Sequence, residues 1–176
     1  IKMRDGLELF TAIYSPKDTS KKYPIVMQRT PYNCAPYGPD QFKRSIAPNE
    51  TMMKEGYIVV YQDVRGRYMS DGLYDNMRGY IPNKKVKTEV DEASDTYDTI
   101  DWLVKNVANN NGNVGTWGIS YPGYYASYSL LSGHPALKAV SPQACISDFF
   151  FDDFHHNGAY LLSYWKVTPL FGQIGR

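Results

Sequence analysis

A serine flanked by glycines stands where a strand-like segment turns directly into a helix-like one. Residues 118–123 read Gly-Ile-Ser-Tyr-Pro-Gly, and the serine is Ser120. Trp117 and Ile119 favour a buried strand before it, and the largely apolar segment 124–131 favours a helix after it. A serine on such a turn projects its hydroxyl above a sheet, where the N–H groups and positive end of the helix stabilise an oxyanion. The arrangement therefore predicts nucleophilic acyl transfer at Ser120.

The glycine spacing around Ser120 is weak evidence by itself. The usual pattern of such turns is G-x-S-x-G, whereas here Pro122 is the second residue after the serine and Gly123 follows it. A glycine-rich strand-to-helix turn with an idle serine is the alternative interpretation of the same residues. The surrounding segments have to decide between the two.

The surrounding chain alternates strand-like and helix-like segments. Asp-Gly at 5–6 predicts a hairpin turn, and residues 23–29 and 57–62 predict strands, the second buried on both faces. A short helix is expected at 50–55 and a longer one from 88–91 onward. This order predicts a parallel sheet covered by helices. Three acidic residues are expected on the outer face of the longer helix, namely Asp95, Asp98 and Asp101.

Three segments are predicted to meet at the carboxyl ends of the parallel strands. They are residues 30–32, residues 63–72 and Ser120. Ligands of such sheets bind at that edge. We expect Asp63 and Arg65 to organise the loop beside the predicted site.

Composition argues against several classes of protein. The net charge is +1, from 19 basic and 18 acidic residues, and there is no basic stripe, so we expect no nucleic-acid partner. The sequence contains no run of eighteen apolar residues, so we expect no membrane span. Neither glycine-rich nucleotide motif occurs, so we expect no cofactor. Cys34 and Cys145 lack metal-ligand spacing, so we expect no metal; they can pair or remain thiols, and we favour thiols.

Five short motifs, taken in order, resemble one family of enzymes. They are Met-Arg-Asp-Gly at 3–6, Arg-Thr-Pro-Tyr at 29–32, Asp-Val-Arg-Gly at 63–66 with Ser70 and Gly72, the serine turn at 118–123, and His-Pro-Ala-Leu-Lys at 134–138. Together they resemble the X-Pro dipeptidyl-peptidase and CocE-like serine hydrolases, over about residues 1–160. Residues 152–159 look closest to the α-amino-acid ester hydrolase branch, a group similar to glutaryl-cephalosporin acylases.

The resemblance implies an α/β-hydrolase fold and roles for four residues. Ser120 matches the nucleophile that carries the acyl group, and the Tyr121 backbone N–H matches one oxyanion donor. The Tyr32 hydroxyl matches the second donor, and Asp153 matches a carboxylate that binds the α-ammonium group of a substrate. Without the resemblance, Tyr32 is one of sixteen tyrosines packing a loop, and Asp153 is an ordinary acid at a helix start.

The base of a Ser-His-Asp hydrolase is missing from this sequence pattern. In this fold the chain order is serine, then acid, then histidine. His134 directly follows the serine helix, and we expect it to be structural. His155 and His156 stand beside what the resemblance implies is the start of a cap. We therefore expect the acid and the base beyond Arg176.

These observations predict the N-terminal part of an α/β-hydrolase. Residues 1–148 are expected to form part of a mostly parallel sheet with helices on both faces and an unfinished edge. Residues 149–176 are expected to begin a helical cap, with a helix over 149–156. The rest of the core, the cap and any C-terminal domain are expected outside this chain.

The predicted function is that of a serine hydrolase of the acylase or α-amino-acid ester hydrolase type, acting through an acyl-enzyme on Ser120. The alternatives are an X-Pro dipeptidyl peptidase and a non-catalytic binding module with the same fold. We expect a small-molecule ester, an amide or a short peptide as substrate. A homo-oligomer is compatible with the sequence, and the resemblance alone slightly favours a periplasmic or secreted location.

Overall fold

A five-stranded sheet is the centre of the computed structural model, which describes residues 1–164, 166 and 171. The strands lie in the order β1-β3-β2-β4-β5, with β1 antiparallel to β3 and the others parallel. The predicted mostly parallel sheet is therefore confirmed. Its strands are β1 (Thr11–Tyr14), β2 (Tyr23–Thr30), β3 (Ile58–Asp63), β4 (Asn110–Ile119) and β5 (Leu137–Gln143).

Helices cover both faces of this sheet. The helices are α1 (Glu50–Glu55), α2 (Glu92–Asn106) and α3 (Tyr121–Ser129), and a 3₁₀ turn at Leu130–Ser132 extends α3. Helices α2 and α3 pack together on one face. The short helix α1 and the loop before it cover the other face.

The alternation of side chains along β2 and β3 produces the two cores. Ile25 and Met27 face α2, where they meet Ile100 and Leu103. Val26 points the other way, into a core that also holds Val59, Tyr61, Cys34 and Ala47. Every residue of β3 is buried, which confirms the prediction of a strand covered on both faces.

The start of α2 differs from the sequence prediction. The helix begins at Glu92 rather than within 88–91, because Asp91 is the residue that caps it. The Asp91 carboxylate accepts a hydrogen bond from the Ser94 N–H (2.8 Å), and the Ser94 hydroxyl accepts one from the Asp91 N–H (2.8 Å). This reciprocal pair satisfies two N–H groups that the helix leaves free, so it fixes where the helix begins.

The prediction that Asp95 faces outward is wrong. Its side chain is buried completely, because Arg29 of β2 and Arg65 of the loop after β3 lie opposite it. Arg65 donates to the two Asp95 oxygens over 2.9 and 2.6 Å and also to Asp5 over 2.6 Å. Arg29 donates to Glu92 (2.9 Å), and its Nη2 lies 3.8 Å from Asp95. The buried ion network, meaning Arg29, Arg65, Asp5, Glu92 and Asp95, thus joins the N-terminal hairpin and α2 to the sheet.

The predicted helix over 149–156 is partly wrong. Phe149–Phe154 forms a π-helical turn, but His155–His156 is a short strand, β6, paired with β7 (Ala159–Tyr160). Of the predicted cap, residues 165, 167–170 and 172–176 lie outside the described residues.

Three smaller points complete the comparison with the sequence. The side chain of Ile119, expected in a buried strand, is 52% exposed, and β5 beside it is mostly exposed at the edge of the sheet. Cys34 and Cys145 are both free thiols, as favoured. In the part of the chain that the structure describes, no helix is long and apolar enough to cross a membrane.

Replacing Asp95 by asparagine is expected to destabilise the protein strongly, because it leaves Arg65 and Arg29 buried beside a neutral partner. Removing one member of a buried ion pair typically lowers the free energy of unfolding by about 3–5 kcal/mol. Asp101→Asn on the same helix is the matched control. It affects an exposed contact to Lys105 (2.7 Å) and a longer one to His134 (3.8 Å), and it should cost below about 1 kcal/mol. Urea unfolding measures the free energy of unfolding of both variants. Equal decreases in the two variants would contradict the importance of the buried ion network.

Candidate active site

Ser120 lies between β4 and α3 in a strained backbone conformation. Its φ is 61° and its ψ is −124°, a combination that glycine adopts readily and L-residues avoid. The Ser120 N–H donates to the Gln143 carbonyl of β5 over 2.9 Å, and its carbonyl accepts from the Tyr124 N–H over 3.1 Å. The serine is therefore held on a sharp turn at the carboxyl end of β4, where the sequence placed it.

The two glycines beside Ser120 are required by close backbone contact. A Cβ on Gly118 would lie 2.2 Å from the carbonyl carbon and oxygen of Pro122. A Cβ on Gly123 would lie 2.6 Å from the Gln143 carbonyl oxygen. Both distances are too short for real atoms. The glycine one position later than in the common pattern is thus explained, because residue 123 is the helix residue that meets β5.

The first turn of α3 offers free N–H groups next to Ser120. The N–H groups of a helix start lack partners within the helix, and Pro122 contributes none, so the Tyr121 N–H is the nearest donor along the chain. Ser120 makes no side-chain capping bond to the helix. The Ser120 hydroxyl is therefore not engaged in a hydrogen bond that caps α3.

The Tyr121 side chain anchors the start of this helix. It is buried, and its phenol contacts the Tyr74 hydroxyl (2.6 Å), the Met77 N–H (2.9 Å) and the Asn76 side chain. Its ring stacks on Tyr125 with the centroids 5.2 Å apart. No sequence motif marks the loop around residues 74–77 as a partner of Tyr121.

Tyr32 reaches Ser120 from the loop after β2. Its side chain lines the same cavity as Ser120, and its ring meets Tyr121 edge-on with the centroids 6.1 Å apart. Burial raises the pKa of Tyr32, and the neighbouring Ser120 opposes that shift only in part. The phenol therefore stays protonated at neutral pH and remains a hydrogen-bond donor.

A cavity of about 270 Å³ joins all four residues that the sequence singled out. Besides Ser120, Tyr32, Tyr121 and Asp153, its lining includes residues that no sequence pattern marked. The complete lining is Tyr32, Ser120, Tyr121, Ala144, Cys145, Ile146, Asp153, Tyr164 and Phe171. It combines aromatic rings, one carboxylate and one serine, which suits a small substrate with both apolar and cationic parts.

The two neighbouring aspartates have different surroundings. One oxygen of Asp152 accepts hydrogen bonds from the Ser147 N–H (2.7 Å), the Ser147 hydroxyl (2.8 Å) and the Asp148 N–H (2.9 Å). These bonds hold the preceding turn and lower the pKa of Asp152. Asp153 instead lines the cavity together with Tyr164, whose pKa is raised by burial and by the Asp153 carboxylate. Of the two carboxylates, Asp153 is the one that can meet a ligand.

None of the three histidines lines the cavity that contains Ser120. His134 precedes β5, at the opposite end of the parallel pair formed by β4 and β5, where it contacts Tyr97 and lies 3.8 Å from Asp101. His155 stacks on Phe150 with the centroids 4.1 Å apart. Among the described residues that line the cavity there is no histidine, so the structure brings no base to Ser120.

A parallel sheet with a strained serine between a strand and a helix, at the strands' carboxyl edge, defines an α/β-hydrolase. Within that class, the model of the X-Pro dipeptidyl-peptidase (S15) family matches residues 5–168. The chain therefore belongs to the X-Pro dipeptidyl-peptidase (S15) family.

Individual relatives agree with this family. Cocaine esterase of Rhodococcus sp. (strain MB1 Bresler) is 32% identical over 152 residues, which cover 85% of this chain and 23% of the esterase. An aminopeptidase from a marine sediment archaeon, Thaumarchaeota archaeon, has a TM-score of 0.77 and 41% identity. An α-amino acid ester hydrolase has a TM-score of 0.76 and 41% identity. This chain is covered to 91% in both structural matches but spans only 27% of each of those proteins.

Adding a methyl group at Gly118 is expected to disrupt the turn, because the backbone of Pro122 has to move. Overpacking of this severity is expected to lower the free energy of unfolding by about 3 kcal/mol. Gly115→Ala in the same strand is the control, since its Cβ would meet only ordinary contacts at 3.7 Å or more. It should change stability by less than about 1 kcal/mol. Equal unfolding midpoints for Gly118→Ala and wild type would disprove the close contact.

Proposed function

We propose that the protein is a serine hydrolase that cleaves small esters or amides through an acyl-enzyme on Ser120. The single observation that supports this most is the strained position of Ser120 at the start of α3, in a cavity that it shares with the protonated Tyr32 phenol. An idle serine in a glycine-rich turn needs neither the strained φ nor the cavity in front of it.

The proposed reaction begins with attack of the Ser120 oxygen on a carbonyl carbon. The carbonyl oxygen becomes an oxyanion, which accepts hydrogen bonds from the Tyr121 N–H and from the Tyr32 hydroxyl. These bonds strengthen as negative charge develops, so they favour the transition state over the bound substrate. Collapse of the intermediate expels the alcohol or amine and leaves the acyl group on Ser120. Water then releases the acid by the same steps.

The base that takes the proton of Ser120 is proposed to lie outside these 176 residues, together with its acid partner. The sequence contains three histidines, and none lines the cavity. The chain spans only about a quarter of the structural relatives with 41% identity, at 27% of each. In this fold both partners follow the serine in chain order, which agrees with a position further along.

The proposed substrate is an ester or amide of an α-amino acid, or a short peptide with a free amino end. Asp153 offers a carboxylate to an ammonium group, and the rings of Tyr32, Tyr121 and Phe171 offer apolar surface. Two structural relatives at 41% identity are named as an aminopeptidase and an α-amino acid ester hydrolase, which agrees with this substrate class. Release of X-Pro dipeptides, after which the family is named, is the second candidate.

A fluorophosphonate probe tests the nucleophile directly in the full-length protein. Wild type should be labelled, and Ser120→Ala should not be, because the probe bonds to the activated serine oxygen. Ser127→Ala is the control: Ser127 lies on α3 and contacts Cys145 (3.3 Å) without lining the cavity. It should be labelled like wild type. Strong labelling of Ser120→Ala, or none of wild type, would refute the proposed nucleophile.

The same probe tests the proposed location of the base. His134→Asn, His155→Asn and His156→Asn should each be labelled at the wild-type rate. A large loss of labelling rate in one correctly folded variant would identify that histidine as the base.

Asp153→Asn tests the proposed ammonium site. It should raise KM for an α-amino ester about tenfold or more, because a charge-assisted hydrogen bond of about 1.5–3 kcal/mol is lost. For the matching ester without the amino group, KM should stay the same. Asp152→Asn, which alters only the neighbouring turn, is the control and should leave the ratio of the two KM values unchanged. If Asp153→Asn affects both esters equally, the carboxylate does not recognise the amine.

A further inference from the structure

Asp63 is a buried carboxylate without an ion-pair partner. It is the last residue of β3, completely buried, and its oxygens accept hydrogen bonds from the Cys34 N–H (2.7 Å), the Tyr37 hydroxyl (2.8 Å) and the Met69 N–H (3.4 Å). No cationic side chain in the described part of the chain forms an ion pair with it. Two of these three donors, Cys34 and Tyr37, belong to the loop that follows β2.

Arg67 is a buried guanidinium that likewise has no ion-pair partner among the described residues. It is 6% exposed, and its Nε donates to the Pro31 carbonyl over 3.0 Å. Its guanidinium also lies over the ring of Tyr74, 4.8 Å from the centroid. Its Nη1 is buried and has no hydrogen-bond partner among the described residues. The one hydrogen bond that the structure gives this side chain thus goes to the same loop.

The two side chains are four residues apart, yet they do not pair with each other. Burying an unpaired charge is costly, and proteins accept such costs mainly where function requires them. An apolar pair at these positions would not carry that cost. Both side chains instead make hydrogen bonds to the loop after β2.

The loop that Asp63 and Arg67 hold is the one that carries Tyr32. Arg67 binds it at Pro31, directly before Tyr32, and Asp63 binds it at Cys34, two residues after. Tyr32 itself is 40% exposed, and among the described aromatic side chains its ring pairs with Tyr121 and Phe171, at 6.1 and 6.4 Å between centroids. Its side chain is loosely enclosed, so its position depends on the loop backbone.

We propose that Asp63 and Arg67 are positioning residues that hold the Tyr32 phenol over Ser120. Neither lines the cavity, so each acts through the backbone on one side of Tyr32. This inference rests on the proposed function, in which Tyr32 donates to the oxyanion. A loop held at both sides keeps the phenol at the oxyanion position rather than at a range of positions, which matters because small displacements of a catalytic group are costly in rate.

A double-mutant cycle between Asp63→Asn and Tyr32→Phe tests the inference in the full-length protein. Kinetics are measured with an amide substrate for which acylation limits turnover. Tyr32→Phe should lower kcat about 10²–10³-fold with little change in KM. Asp63→Asn should lower kcat about 10–10²-fold, again with little change in KM. The double variant should be only as slow as Tyr32→Phe, because Asp63 has nothing left to position.

The outcomes separate this inference from the proposed function. A loss below about threefold in Tyr32→Phe would remove Tyr32 from the oxyanion site and would overturn both. If Tyr32→Phe is slow as expected but the two losses multiply, Tyr32 remains a donor and the positioning role of Asp63 is overturned. Asp98→Asn is the matched control, since it weakens the contact between Arg4 and α2 (2.8 Å) and should change stability without changing kcat.

A milder variant covers the case in which Asp63→Asn does not fold. Tyr37→Phe removes one of the hydrogen bonds to Asp63 and keeps the ring. It should lower kcat about 3–10-fold and show the same lack of additivity with Tyr32→Phe. An unchanged kcat in Tyr37→Phe, or multiplying losses, would overturn the inference by itself.

Discussion

The backbone contact between β4 and α3 is the constraint on which the rest of this structure depends. At Gly118 and Gly123 the strand, the helix and β5 approach so closely that no side chain fits. This approach forces Ser120 to a φ of 61°, and the Ser120 hydroxyl makes no capping bond to the helix. The energy stored in that conformation has to be offset by packing elsewhere, because a single strained residue costs about 1–3 kcal/mol.

Much of the compensating structure is polar rather than apolar. The buried ion network ties α2 to the strands, and Arg29 also lies 5.8 Å from the ring centroid of Tyr125 on α3. Such networks add little net stability compared with well-packed apolar groups, but they accept few alternative arrangements. They therefore suit a region in which the position of α3 relative to the sheet has to be unique. The aromatic packing of Tyr121 and Tyr125 continues the same support to the helix start.

The elements could be predicted from sequence where local patterns determine them. The apolar run of β3, the helix at 50–55 and the serine turn all follow from periodicity and glycine placement, and the structure has them. Asp95 was misplaced because periodicity records polarity but not partners, and its partner Arg65 is 30 residues away. Likewise, the sequence around Tyr121 does not predict that Tyr74 and Asn76 are its hydrogen-bond partners. The meeting of residues 30–32 with Ser120 followed from the predicted parallel sheet. The roles of Tyr32, Tyr121 and Asp153 came from family resemblance, since chemistry alone could not select one tyrosine among sixteen.

The free thiol of Cys145 has a consequence for how inhibitors of this protein are interpreted. Cys145 lines the same cavity as Ser120, and its sulfur lies 3.3 Å from the Ser127 hydroxyl. A maleimide or iodoacetamide group attached there would fill space that a substrate needs. Loss of activity after alkylation would then reflect obstruction, and sensitivity to thiol reagents would not argue against the proposed nucleophile Ser120.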